Sequence, residues 1–145
     1  MPAHDLLRSG APFIADTSAS WRVIALPDDL GALVQDAVRE DRLWITPIVR
    51  MEILYSARTS SEYVAGAELD ALRIVRSDRA VADTAMRALS ELAQRNDGYH
   101  RVPLTDALIA AAAAEHGGLA VLHRDAHFDR LAETLAFDSV TLPGP

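Results

Sequence analysis

The chain has 145 residues, half of them hydrophobic, with 21 acidic and 14 basic side chains and a formal net charge of −7. That length is close to the commonest domain size and can bury one core, so a single domain over residues 1–145 is expected. The acidic balance disfavours a protein that grips nucleic acid through a broad cationic face, and the lack of cysteine excludes disulfides, thiolate nucleophiles and sulfur-built zinc sites.

Any metal must therefore be held by carboxylate or imidazole. The longest apolar run, Ala107 to Ala114, is eight residues bracketed by Asp106 and Glu115, whereas a bilayer span needs roughly 20. The N-terminus lacks the basic start, apolar stretch and small-residue cleavage site of a secretory signal, so a cytoplasmic protein is expected. All 14 basic residues are arginine, which favours planar phosphate contacts, although high genomic GC content produces the same bias. Net negative charge is compatible with a nuclease, because divalent cations at an acidic site place positive charge where a phosphate would sit.

In chain order, Pro12 to Asp16 reads as a short buried strand ending on a carboxylate, with Thr17 and Ser18 able to cap a helix after it. Asp28 and Asp29 open an amphipathic helix with Leu30, Leu33, Val34, Ala37 and Val38 on one face, closing near Asp41. Leu43 to Thr46 is a second strand, and Pro47 starts a helix through Tyr55. A further helix is expected from about Ser61 to Leu72, then a third strand at Ile74 and Val75. The pattern Val81, Ala85, Ala88, Leu89, Leu92 predicts a helix from Asp78 to the break at Asn96, Asp97 and Gly98. Thr105 is the expected cap of an alanine-rich helix that stops at Gly117 and Gly118. Leu119 to Leu122 is a fourth, wholly apolar strand, Asp125 caps the next helix, and Ser139 to Leu142 is a last strand. Apolar strands alternating with helices predict an α/β fold, a three-layer α/β/α arrangement with a central, mostly parallel sheet.

In such sheets ligands bind beyond the carboxyl ends of the strands, where Asp16 and Asp125 fall. Each has a simpler explanation as a helix cap, and Asp106, in a first turn, is favoured by the helix dipole by about 0.3 to 1 kcal/mol. Glu52 is different. It lies between Ile48 and Val49 on the helical wheel, in a helix apolar on nearly all sides, and burying an unpaired carboxylate costs several kcal/mol, so it wants a cation. If the four carboxylates converge, their repulsion raises their pKa values and hard divalent cations are the natural remedy. Two such ions could serve in-line hydrolysis of a phosphodiester. Convergence itself does not follow from the residues alone.

Four segments carry a resemblance: Asp16, Thr17 and Ser18 after a strand; Pro47 to Arg58 (Pro-Ile-Val-Arg-Met-Glu-Ile-Leu-Tyr-Ser-Ala-Arg); Asp106 to Ala111 (Asp-Ala-Leu-Ile-Ala-Ala); and Val121 to Asp129 (Val-Leu-His-Arg-Asp-Ala-His-Phe-Asp). In this order and spacing they resemble PIN-domain proteins, and most of all the VapC-type toxins of toxin–antitoxin pairs, over nearly the whole chain from Phe13 to Leu142. The resemblance implies a PIN-like fold and a ribonuclease dependent on Mg²⁺ or Mn²⁺. It also implies a homodimer bound by a VapB-type antitoxin, with RNA as substrate and no membrane. By position, Asp16, Glu52, Asp106 and Asp125 match the family's acidic metal-site residues. Asp129 matches a further acid, an outer ligand, and Thr17 or Ser18 would assist through its hydroxyl. Two features depart from the pattern: the extension over residues 1–11, and the strongly negative charge.

His123 and His127 have metal-ligand spacing, but one closes a strand and the other lies on a helix, so both are expected at the rim. His116 suits a helix C-terminus. Trp44 is expected in the core and Trp21 is a candidate base-stacking platform. Arg22, Arg101 and Arg124 are candidate phosphate contacts. A phosphotransfer site at Asp16 fits poorly, because Ser18 stands where a second Asp is needed and the chain has no lysine. Neither a Gly-x-Gly-x-x-Gly nor a Walker-type glycine loop occurs. The remaining alternatives are a PIN-like RNA-processing nuclease that is not a toxin, and a catalytically silent PIN-like binding module.

Overall fold

The structure, a computed structural model, describes residues 1–16, 26, 28–67 and 72–143. In chain order its elements are α1 (Ala3–Arg8), β1 (Phe13–Ala15), α2 (Asp28–Arg39), β2 (Leu43–Ile45), α3 (Pro47–Tyr55), α4 (Ser60–Ala67) and β3 (Arg73–Ile74). There follow α5 (Arg79–Arg95), α6 (Leu104–Glu115), β4 (Ala120–His123), α7 (His127–Leu131) and β5 (Ser139–Thr141). The five strands form one sheet in the order β3-β2-β1-β4-β5. Every pairing is parallel, with Phe13 level with Leu43 on one side and Ala120 on the other. This is the three-layer α/β/α arrangement the alternation of strands and helices implies.

The chain winds outward from β1 to β2 and β3, then crosses back to β4 and β5 on the other side. That reversal is the topological switch point, and it opens between the carboxyl ends of β1 and β4. β1 and β4 are buried at every position, as a central parallel strand must be.

Local chemistry fixes the helices that frame this point. Thr46 caps α3 by accepting a hydrogen bond from the Val49 N–H, with Pro47 in the first turn where its missing N–H costs nothing. Asp78 caps α5 in the same way through the Val81 N–H, and α5 buries Val81, Ala85, Ala88 and Leu92 along one stripe. α6 is buried on most sides, and its small side chains, Ala107 and Ala110 to Ala113, let α5 and the sheet approach closely. It ends where the N–H groups of Gly118 and Leu119 both donate to Ala113 O. Gly117 and Gly118 there have φ of 84° and 77°, a left-handed geometry that glycine adopts without strain. A Cβ on Gly118 would also meet Ala136 O at 3.1 Å.

Several boundaries differ from the sequence expectation. Thr105 does not cap α6; Pro103 occupies the cap position without a side-chain bond. The third and fourth strands each shift by one residue, to Arg73–Ile74 and Ala120–His123. α4 begins at Ser60, and the expected continuation through residues 68–71 lies outside the described residues.

Residues 1–11 also acquire a role. Ala3, Leu6 and Leu7 of α1 are buried in the common core, and α1 packs on α2 and β5. Each leucine buried this way contributes about 1.5 to 3 kcal/mol, and His4 Nε2 pairs with Asp29 Oδ2 of α2 at 2.9 Å. Among the described residues no helix is long and apolar enough to cross a membrane.

Candidate metal centre

Asp16 follows β1 directly. Its N–H donates to Leu122 O at 3.0 Å, so the β1–β4 pairing holds its backbone, and the residue is 7% exposed. Asp106 enters from the first turn of α6 and is 6% exposed. Asp125 lies two residues beyond β4 and Glu52 on α3, both half-buried.

The donor atoms of Asp106, Asp125 and His127 lie within 4.8 Å of one another, and from outside that group the charges of Asp16 and Glu52 act on Asp106. Its pKa is pushed up to about 7, first by burial and then by the charges of Asp16 and Asp125, with Glu52 acting in the same direction and His127 opposing. Four carboxylates and one imidazole therefore share one electrostatic neighbourhood. Asp106 Oδ2 is buried with no hydrogen-bond partner among the described residues. A buried oxygen of this kind is costly unless a cation satisfies it, and carboxylates around such an atom are the donor set of a hard divalent ion. The residues present fit such a cation.

His127 belongs to the same cluster. The Asp125 side chain accepts the His127 N–H at 2.9 Å, a tight turn that folds the imidazole back towards the carboxylates. His127 Nδ1 lies 2.6 Å from Asp125 Oδ1 and 3.6 Å from Asp106 Oδ2. Burial pushes the Asp125 carboxyl up, but the His127 backbone N–H and imidazole more than offset this and hold it below its ordinary range.

On the other side of the Asp125 turn runs a separate polar relay. The Asp125 N–H donates to His123 Nδ1 at 3.0 Å, His123 Nε2 contacts Ser139 Oγ at 2.6 Å, and Ser139 Oγ donates to Asp129 Oδ1 at 2.7 Å. Because Nδ1 accepts, Nε2 carries the proton and His123 is neutral; burial lowers its pKa in the same sense. His123 also stacks on Phe128 with ring centroids 4.6 Å apart.

The structure thus brings Asp106 and Asp125 together with His127, sets Asp16 and Glu52 where their charges act on Asp106, and engages Asp129 in the neighbouring relay. Thr17, Ser18, Trp21 and Arg22 lie outside the described residues. The reading of both histidines as rim residues is corrected: His123 is fully buried, and His127 is part of the cluster. The i, i+4 spacing from His123 was the wrong signal; the informative one is Asp125-Ala126-His127, an Asp able to turn the chain two residues before an imidazole.

Glu52 also sits in a setting other than the one its sequence neighbours imply. α3 buries only Val49 and leaves Met51 and Tyr55 in solvent, Tyr55 at 91% exposure, so its apolar sequence does not mean an enclosed helix. Trp44 packs against the core, with the Arg73 guanidinium 5.4 Å from its ring centroid. Arg124 donates to Pro143 O at 2.9 Å and His116 Nδ1 bonds Ala112 O at 2.8 Å, while Arg101 is exposed.

A doubly wound parallel sheet with a carboxylate cluster at its switch point defines a class: an α/β protein whose strand-end acids could hold a metal ion. A family model for the PIN domain matches residues 13–134, and the chain belongs to that family. It is 37% identical over 121 residues to Ribonuclease VapC18 of Mycobacterium tuberculosis, covering 83% of this chain and 87% of that protein. Ribonuclease VapC2 of the same species is 31% identical over 125 residues, covering 83% and 84%. Among solved structures, the DNA-bound VapBC of Salmonella typhimurium superposes with a TM-score of 0.67 at 20% identity, covering 90% of this chain and 96% of that one. VapBC-5 of Mycobacterium tuberculosis gives 0.64 at 23% identity, covering 91% and 99%.

Proposed function

We propose that this protein is a divalent-metal-dependent endoribonuclease and the toxin of a toxin–antitoxin pair. The observation that carries the reading is the buried Asp106 oxygen, without a hydrogen-bond partner among the described residues, in a cluster of acids at the switch point of a PIN fold. In this reading Asp16, Glu52, Asp106 and Asp125 hold Mg²⁺ or Mn²⁺, Asp129 stands outside them, and Thr17 or Ser18 adds a hydroxyl. The bound cation supplies charge neutralisation and water activation for phosphodiester hydrolysis.

The chain's own residues do the rest. Burial of Asp16 and Asp106 excludes bulk water from one side of the site. Asp106, its pKa raised to about 7 by burial and neighbouring acids, holds a proton below that pH in the metal-free protein and would give it up to a cation. His127 keeps Asp125 ionised. The relatives' names, Ribonuclease VapC18 and VapC2, support RNA as the substrate. The VapBC complexes among the structural neighbours support a VapB-type antitoxin as partner.

The same reading makes residues 1–145 one nuclease domain with α1 as an integral part, acting in the cytoplasm as a homodimer. Met51 and Tyr55 of α3 and Tyr63 and Val64 of α4 are exposed apolar side chains that suit protein contacts. The test is RNA cleavage by antitoxin-free protein with Mg²⁺ and with chelator. Cleavage confined to the metal-loaded protein and lost in Asp16→Asn supports the proposal; equal cleavage in chelator overturns it.

A further inference from the structure

We propose that His127 is itself a metal ligand, so that the site takes a first-row transition metal, with Mn²⁺ preferred over Mg²⁺, through an imidazole nitrogen beside the Asp106 and Asp125 carboxylates. The inference rests on the divalent-metal reading above and deepens it.

Three observations carry it. One donor atom each from Asp106, Asp125 and His127 lies within 4.8 Å of the others. Donors bound at about 2.0 to 2.2 Å around a common ion are separated by distances of that order. Second, His127 Nδ1 sits 2.6 Å from Asp125 Oδ1, so the imidazole nitrogen already stands against a carboxylate of the cluster. Third, the Asp106 side chain is 9% exposed, and its Oδ2, 3.6 Å from the same nitrogen, has no hydrogen-bond partner among the described residues.

The backbone prepares this arrangement. The bond from the His127 N–H to Asp125 Oδ1 fixes the turn, and the His123 bond to the Asp125 N–H fixes the far side of it. The imidazole is held by the same carboxylate it would share a metal with.

The chemistry sets the preference. Carboxylates alone suit Mg²⁺ and Mn²⁺ alike, whereas an imidazole nitrogen adds affinity for transition metals and little for Mg²⁺, which keeps its waters. Mn²⁺ combines the oxygen preference of the acids with tolerance for nitrogen.

The test is pulsed electron paramagnetic resonance on the Mn²⁺-loaded, full-length protein without antitoxin, read for ¹⁴N coupling from a directly bound imidazole. Alongside it, Mn²⁺ and Mg²⁺ affinities are measured by calorimetry for wild type, His127→Asn and His127→Asp. The expected result is strong ¹⁴N coupling in wild type, lost in both variants. Mn²⁺ affinity should fall by at least about tenfold in His127→Asn, with a much smaller change for Mg²⁺. His127→Asp should regain Mn²⁺ binding through oxygen while losing the preference over Mg²⁺, which shows that the variant is folded. Absence of ¹⁴N coupling in wild type, absence of Mn²⁺ binding, or an unchanged Mn²⁺ to Mg²⁺ ratio in His127→Asn overturns the proposal. The outcomes separate from those of the ribonuclease reading: nitrogen coupling without RNA cleavage sinks the function and keeps the ligand, and metal-dependent cleavage without nitrogen coupling does the reverse.

Discussion

Two polar clusters lie back to back across the turn after β4, and they are built on opposite principles. In the relay, each buried polar atom of His123 has a partner: Nδ1 takes the Asp125 N–H, Nε2 meets Ser139, and Ser139 passes on to Asp129. In the cluster around Asp106, acids repel one another and a buried oxygen has no hydrogen-bond partner among the described residues. A satisfied network rigidifies a fold, whereas an unsatisfied one is stable only with something added. The difference suits the relay to positioning and the Asp106 cluster to holding a cation, although both share the Asp125 turn.

The largest effect expected from breaking this contrast is on catalysis. Asp106→Asn keeps the shape and removes a charge from the crowded cluster, so RNA cleavage should drop by at least about a hundredfold while thermal stability of the metal-free protein rises. A cleavage assay beside a thermal melt reads both, and a variant that loses stability instead would place Asp106 among ordinary structural acids.

pH should separate the clusters next. Asp106 has a folded pKa of about 7 against an ordinary value of 3.8, so the folded state binds the extra proton in that window. Without metal, stability is then highest below pH 3.8 as far as this group is concerned and falls as pH rises from 3.8 to about 7. Metal affinity runs the other way, strengthening up to about pH 7 as the proton leaves. Melts in chelator at a series of pH values check the first trend, and in Asp106→Asn the slope should flatten.

A smaller, purely structural loss is expected in the relay. Ser139→Ala leaves His123 Nε2 and Asp129 Oδ1 without their shared hydroxyl and should cost about 1 to 3 kcal/mol, seen as a lower melting temperature in metal-free and metal-loaded protein alike. The smallest effect should come from Asp129→Asn, which keeps an oxygen to accept from Ser139. Its stability change should stay within about 1 kcal/mol, with metal affinity nearly unchanged in a calorimetric titration. A large loss of affinity would move Asp129 from the relay into the metal site.

Much of the fold was legible because its signals are local. Strands without polar interruption, Pro47 after Thr46, Asp78 before an apolar stripe and the glycine pair at 117–118 each mark an element by themselves. The handover from strand to carboxylate at Asp16 and Asp125 was legible for the same reason. α1 was not, since a six-residue helix shows too little periodicity to read and its burial depends on contacts with the distant α2 and β5. His127 was missed because its place depends on a side chain turning the backbone, and His123 because the β4–β5 pairing, which sets it level with Thr141 and against the Ser139 hydroxyl, joins residues far apart in the chain. Glu52 drew attention through an apolar helix that is in fact partly exposed; what ties it to the site is its charge acting on Asp106.

Whether the buried Asp106 oxygen belongs to a divalent cation is decided by calorimetric titration of Mn²⁺ into antitoxin-free wild type and Asp106→Asn at a pH above 7. Wild type should show a saturable binding event that weakens by at least about tenfold in the variant. Equal binding in both proteins, or none in wild type, would mean that the cluster is not a cation site.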